Sequence, residues 1–87
     1  MTMKTFQYTI QDALGIHARP AGLLVKEAKK FQSVITLEGN GKKAEAGKLL
    51  AIMGMGLKQG AEITITAEGA DEDAAIAAME EFMKANL

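Results

Sequence analysis

Cysteine is absent from this chain of 87 residues, and histidine, arginine and proline occur once each. Without cysteine there are no disulfides and no thiolate metal sites, and one histidine makes no His-rich metal cluster. Neither sign of charge is in excess. Ten Lys and Arg stand against eleven Asp and Glu, a net charge of −1, which argues against a general nucleic-acid binder. No apolar run approaches the length of a membrane span, and the N-terminus lacks the apolar core of a signal peptide. The expectation is a soluble cytoplasmic protein that does not insert into membranes. No Walker-type lysine follows a glycine-rich loop, and Gly54-Met55-Gly56 is a lone G-x-G that follows no strand, a weak nucleotide signal. What remains is a composition 48% hydrophobic, typical of a globular chain. Its length predicts one domain, residues 1–87, with a modest core.

The rare residues are gathered in one place. His17, Arg19 and Pro20 lie within the stretch Leu14-Gly15-Ile16-His17-Ala18-Arg19-Pro20-Ala21-Gly22, where a glycine-bearing turn gives way to an amphipathic run. Ala21, Leu24, Val25 and Ala28 fall at i, i+3, i+4 and i+7, which predicts a helix from about Ala18 to Lys30. Proline fits its first turn because the amide it lacks would have no intrahelical acceptor there. The free amides of that turn point outward with partial positive charge and suit an anion. Arg19 adds a full charge and a planar fork of donors that matches phosphate. An imidazole with a free lone pair at such a helix start is a candidate phosphoryl acceptor. The plainer reading has His17 capping the helix, Arg19 solvated and Pro20 starting the turn; for a lone histidine that is the commoner outcome. Three singletons on one helix end argue for the functional alternative.

Elsewhere the pattern is regular. Thr5 to Ile10 alternates, with Phe6, Tyr8 and Ile10 on one side, as in a half-buried strand. Val34 to Glu38 predicts a second strand with Ile35 and Leu37 inward. Gly39-Asn40-Gly41 predicts a tight turn into a third strand at Lys42 to Ala46, with Ala44 and Ala46 inward. Lys48 to Lys58 has a helical pattern, yet Gly54 and Gly56 each cost about 1 kcal/mol relative to alanine and suggest close packing or an early end near Gly56. Leu49, Ile52 and Met53 share one face, with Leu50 to the side. Glu62 to Ala67 predicts a strand with Ile63, Ile65 and Ala67 inward. The last helix follows Gly69-Ala70, with Asp71 as its cap, Glu72 and Asp73 favourable at the positive end, and Ala75, Ile76, Met79, Phe82 and Met83 as its buried stripe. By pattern the six methionines are mostly core filler; Met53 and Met55 also suit, as flexible side chains, a surface that meets several partners. The order β-α-β-β-α-β-α predicts an α+β fold with helices on one sheet face. The linear pattern admits a ferredoxin-like strand order as well.

Gly15-Ile16-His17-Ala18-Arg19-Pro20-Ala21 resembles the active-site signature of HPr, the histidine phosphocarrier family of the bacterial sugar phosphotransferase system. Leu50 to Gly56 resembles the family's second-helix segment, Gly60 to Ile65 its last strand, and Gly69 to Glu72 the start of its last helix. The resemblance implies an open-faced β-sandwich, a four-stranded antiparallel sheet with three helices on one face. It implies a phosphoryl relay in which enzyme I loads His17 at Nδ1 and His17 passes the group to enzyme IIA domains of sugar permeases. On that reading Arg19 and the Ala18 and Arg19 amides hold the phosphate, and Pro20 starts the helix. The chain would be a monomeric carrier without independent turnover, metal or cofactor.

The same resemblance places a docking face on Ile16, Gly22, Leu49, Leu50 and Met53, rimmed by Arg19, Lys26, Lys29 and Lys48. Core placement of Leu49 and Met53 is an equal alternative by spacing, and Leu50 is the better candidate for an exposed anchor. Two positions depart from the family. Leu14 stands where many members carry a small polar residue. Lys48 stands where many members from low-GC Gram-positive bacteria carry a kinase-targeted serine, which implies that this switch is missing. Competing readings are a paralogous carrier of a regulatory or dihydroxyacetone-kinase branch, a non-phosphorylated docking module, and a small-ligand regulatory domain. The last two leave His17 and Arg19 without a role.

Overall fold

Period-two alternation makes the strands and period-3.6 stripes make the helices, and together they close over one sheet face. The structure is a computed structural model that describes residues 3–87; of the expected domain 1–87, residues 1 and 2 lie outside the described residues. In chain order the elements are β1 (Met3–Thr9), α1 (Ala18–Ala28), β2 (Val34–Gly39), β3 (Lys42–Glu45), α2 (Leu49–Met53), β4 (Glu62–Glu68) and α3 (Glu72–Asn86). The four strands run β1-β4-β2-β3 across the sheet, every neighbouring pair antiparallel. This places the last strand inside the sheet and decides between the two strand orders that the linear pattern admits.

Register explains the single covered face. Phe6, Ile65, Leu37 and Ala44 lie side by side across all strands, and the adjacent row, Thr5, Thr66, Thr36 and Glu45, points the other way into water. A strand's side chains alternate, so a one-residue slip would drown the first row and bury the second. Ile10, Leu24, Leu37, Ile52, Ile63, Ile65, Met79 and Met83 are fully buried between sheet and helices. Helix α3 lies over β1 and β4, and α1 packs against both α2 and α3. Asn40 and Gly41 both have positive φ, 53° and 72°, the backbone that a two-residue hairpin between twisted strands requires. No helix among the described residues is long and apolar enough to cross a membrane.

Several local details sharpen the expectation or depart from it. Helix α1 stops at Ala28 instead of Lys30, because its last turn tightens: the Lys30 and Phe31 amides donate to Glu27 and Ala28, three residues back. Helix α2 is only five residues long. The Met55 and Gly56 amides likewise donate three residues back, to Ile52 and Met53, and the chain then turns at Gly56, where φ is +66°. Met55 is 2% exposed and belongs to the core, as the pattern of the methionines suggests, whereas Met53, 40% exposed, keeps its surface alternative. Asp71 occupies the N-cap position of α3 but makes no capping bond from its side chain. Its carboxylate instead accepts the Gln32 amide at 2.9 Å, the Ser33 amide at 2.8 Å and the Ser33 hydroxyl. One carboxylate thus ties the α1–β2 turn to the start of α3.

Those bonds to the charged form, the Ser33 hydroxyl foremost and then the Gln32 amide, hold the Asp71 carboxyl below its ordinary value of 3.8. A depressed carboxyl stabilises the fold above its unfolded value and loses that contribution as pH falls toward the folded one. Asp71→Ala is therefore expected to lower Tm at neutral pH. The gap to the wild type should narrow once acid protonates Asp71, as followed by circular dichroism melts at about pH 7 and about pH 2.5.

Candidate functional site

The loop before α1 is shaped by a close approach of two backbones. Gly15 has φ +69°, and a Cβ placed on it would lie 2.3 Å from the Leu57 carbonyl oxygen and 2.5 Å from Lys58 Cα. Only glycine fits there. The next amide, Ile16 N–H, donates to that same Leu57 oxygen at 3.0 Å, and Ile16 itself is 6% exposed. With Ile16 pinned into the core, His17 is turned outward at the N-cap of α1. Asp12 shapes the other half of the loop. Its Oδ1 accepts the Leu14 amide at 2.8 Å, its carbonyl accepts the Gly15 amide at 2.9 Å, and its own amide donates to a Leu87 oxygen at 2.8 Å.

His17 is extended, φ −98° and ψ −176°, and its ring makes no capping hydrogen bond. The ring therefore does not cap the helix, although His17 holds the N-cap position, Arg19 is exposed and Pro20 lies in the first turn, as the plainer reading has them. The first helical bond runs from the Ala21 amide to the His17 carbonyl at 3.0 Å. The Ala18 and Arg19 amides precede it and have no intrahelical acceptor, and Pro20 has no amide to offer. Pro20 and Ala21 are buried, while Ala18 and Arg19 are exposed. Asp12, His17, Arg19, Pro20, Leu23 and Asn86 line one shallow depression of about 280 Å³. Within it Asp12 Oδ1 lies 3.9 Å from His17 Nε2. The depression thus brings together an imidazole, a guanidinium and a carboxylate at the start of α1, where the Ala18 and Arg19 amides have no intrahelical acceptor. Among the described residues no group of three or more His, Cys, Asp or Glu is placed to hold a metal ion.

The expected docking residues scatter more than the sequence implies. Leu50 is 83% exposed, and Leu49 and Met53 are each 40% exposed, so all three face solvent on α2 while Ile52 points in. Ile16 is buried, a correction to its place among the exposed anchors: it supports the loop from beneath. Gly22 is half-buried, and a Cβ added to it would meet no atom within 4 Å, so it leaves open surface beside the site. Lys26 lines a hollow between α1 and α3 with Leu23, Phe82 and Asn86. Lys29 lies at the other flank of the end of α1, in a hollow with Val34 and Glu45. Lys48 is exposed at the N-cap of α2. The chain's single serine, Ser33, is buried and bound to Asp71.

Three residues at the site escaped the sequence reading. Leu23 stands four residues after Arg19 on α1 and is 42% exposed, so helical spacing marks it. Asp12 carries a local signal as well, since an aspartate two residues before an amide near a glycine favours an Asx turn. Asn86 arrives from the far end of the chain, and no local signal marks it.

A family model described as the PTS HPr component phosphorylation site matches residues 4–85. Among solved structures, the histidine-containing phosphocarrier protein of a Mycoplasma is 45% identical, with TM-score 0.89 over 92% of this chain and 91% of that one. HPr-C-His from Thermoanaerobacter tengcongensis is 39% identical, TM-score 0.89, over 94% and 92% of the two chains. The phosphocarrier protein HPr from Bacillus anthracis is 34% identical, TM-score 0.88, over 95% and 99%.

The close approach at Gly15 carries a direct test. Gly15→Ala forces both a left-handed alanine and a clash with backbone, so unfolding in denaturant is expected to show a loss well above about 1 kcal/mol.

Proposed function

We propose, since the chain belongs to the HPr phosphocarrier family of the phosphotransferase system, that His17 takes a phosphoryl group from phospho-enzyme I and hands it to enzyme IIA domains of sugar permeases. The observation that carries this reading is the uncapped imidazole at the α1 N-cap beside two free amides and Arg19. A ring nitrogen attacks phosphorus, the bond from phosphorus to the donor breaks, and its electron pair returns to the donor. Such transfers need positioning and charge stabilisation more than covalent help from the protein. The Ala18 and Arg19 amides and the Arg19 guanidinium donate to the phosphoryl oxygens. Two amides and one exposed cation make a light grip, which suits a group that must leave again. The molecule is then a carrier that is spent and reloaded, with its turnover set by its partners.

Docking in this reading uses Leu49, Leu50 and Met53 on α2 with Leu23 on α1, beside Lys26 and Lys48. Apolar anchors next to lysines fit concave partners with acidic rims. A single copy presents all of these groups, which supports a monomer as the working unit. Phosphoserine control at the start of α2 has no acceptor here, since Lys48 occupies that position.

Incubation with enzyme I and phosphoenolpyruvate is expected to leave an acid-labile, base-stable phosphate on the wild type and none on His17→Ala. That variant should keep its stability within about 0.5 kcal/mol, as a substitution outside the core that breaks no side-chain hydrogen bond does; phosphate on it would refute the reading. Arg19→Ala should fold and transfer roughly tenfold more slowly. Lys48→Glu should raise KM for phosphorylation by enzyme I more than it lowers kcat, and the loss should shrink as salt screens the encounter. An unchanged KM at low salt would remove Lys48 from the docking surface.

A further inference from the structure

We propose that Asp12 is a positioning residue for His17, its carboxylate facing the Nε2–H edge of the ring and stabilising the positive charge that the imidazole gains when Nδ1 is phosphorylated. The inference rests on His17 being the phosphoryl acceptor.

Geometry supplies the first argument. Asp12 Oδ1 is 3.9 Å from His17 Nε2, with the two side chains 33% and 38% exposed. That distance is too long for a hydrogen bond and short enough for charge attraction in a half-screened hollow. The carboxylate is also held in place. Its Oδ1 accepts the Leu14 amide, and the Asp12 backbone is bonded at both its amide and its carbonyl. A fixed charge aimed at a developing one needs no reorganisation when transfer occurs.

The turn itself does not need the charge. An Asx turn forms equally well on asparagine, whose side-chain oxygen accepts the same amide. The negative charge at this position is therefore surplus to the fold. Among the described residues the one other charged side chain lining the depression is Arg19, of opposite sign.

The chemistry gives the surplus charge a use. A neutral imidazole carries one N–H, and the other nitrogen holds the lone pair. A carboxylate beside Nε2 favours the tautomer with its proton there, which leaves the Nδ1 lone pair free. As the Nδ1–phosphorus bond forms, the donor–phosphorus bond breaks and its electron pair stays on the donor. No proton leaves the ring, so it becomes a cation with Nε2–H retained, facing Asp12. A buried aspartate acts in this way on the histidine of serine proteases, orienting the ring and stabilising its cation. On transfer onward the Nδ1–phosphorus bond breaks, its pair returns to Nδ1, and the charge disappears. Opposite charges thus act on opposite sides of the new bond. Arg19 and the amides hold the phosphoryl oxygens, and Asp12 holds the ring.

Asp12→Asn tests this, because it keeps the acceptor for Leu14 and removes the charge; Asp12→Ser, whose hydroxyl also accepts a turn amide, serves if the first variant does not fold. Two readouts apply. With phospho-enzyme I, kcat for loading His17 should fall roughly tenfold with KM little changed, because Asp12 acts on the ring and not on the encounter. In the unphosphorylated protein, nitrogen-15 shifts of the neutral ring should show the proton on Nε2 in the wild type and a larger Nδ1–H share in the variant. An unchanged kcat, or a wild-type ring protonated on Nδ1, overturns the proposal. Should the wild type take no phosphate at all, the acceptor reading falls, and the ring shifts alone then decide whether Asp12 orients His17.

Discussion

The contact of Gly15 with the backbone at Leu57 and Lys58 is the constraint on which the working end of this molecule depends. The loop before α1 and the segment after α2 approach so closely that no side chain fits between them. The Ile16–Leu57 hydrogen bond then closes the junction. Because Ile16 is driven into the core, the next residue has to turn out, and that residue is His17. The same junction fixes how the start of α1 sits relative to the exit of α2. The half-buried His17 ring and the exposed leucines of α2 are thereby held in one spatial relation by the chain itself.

Helix α2 is too short to hold itself, since a single turn fixes many dihedrals for few hydrogen bonds. It is held from outside. Ile52 anchors it in the core, and the tip of the β2–β3 hairpin reaches its carbonyl end. Asn40 Nδ2 donates to the Met55 and Gly56 carbonyls at 3.2 and 3.1 Å, and Lys42 Nζ to that of Gly54 at 3.3 Å. A cation and an amide at the negative end of a helix satisfy acceptors that would otherwise go unpaired. The turn residues that close the hairpin therefore also hold the segment that carries Leu50.

Much of this was legible in the chain because it is local. Alternation in Phe6-Gln7-Tyr8 and Ile63-Thr64-Ile65, the Asn40-Gly41 turn and the stripe of α3 depend on neighbours a few residues away. The gathering of His17, Arg19 and Pro20 marked the site for the same reason. What escaped the reading is contact between residues far apart in sequence. Asp71 has every local mark of a helix cap, yet its partners are Gln32 and Ser33, and nothing near position 71 announces them. Asn86 reaches the His17 hollow only because α3 folds back across the sheet. Ile16 and Met55 sit beside glycines, where no period tells inside from outside, so their burial was decided by the chain packed around them. Family resemblance closed part of the gap by supplying a strand order that the linear pattern left open.

An open sheet has two unpaired borders, and here they are the strands β1 and β3. Unpaired backbone along such a border is a template for another chain to add itself. β3 spans only four residues, Lys42–Glu45, of which Lys42, Lys43 and Glu45 are exposed and charged. On β1, Lys4 projects into solvent and pairs with Asp73 at 3.4 Å. The uncovered sheet face that the register creates is mostly polar, rich in threonines and glutamates, with Met3 and Val34 as its exposed apolar side chains among the described residues. Short length, exposed charge and an ion pair along these borders make them poor templates for a further strand, so the edges of the sheet resist the pairing that an open sheet otherwise invites.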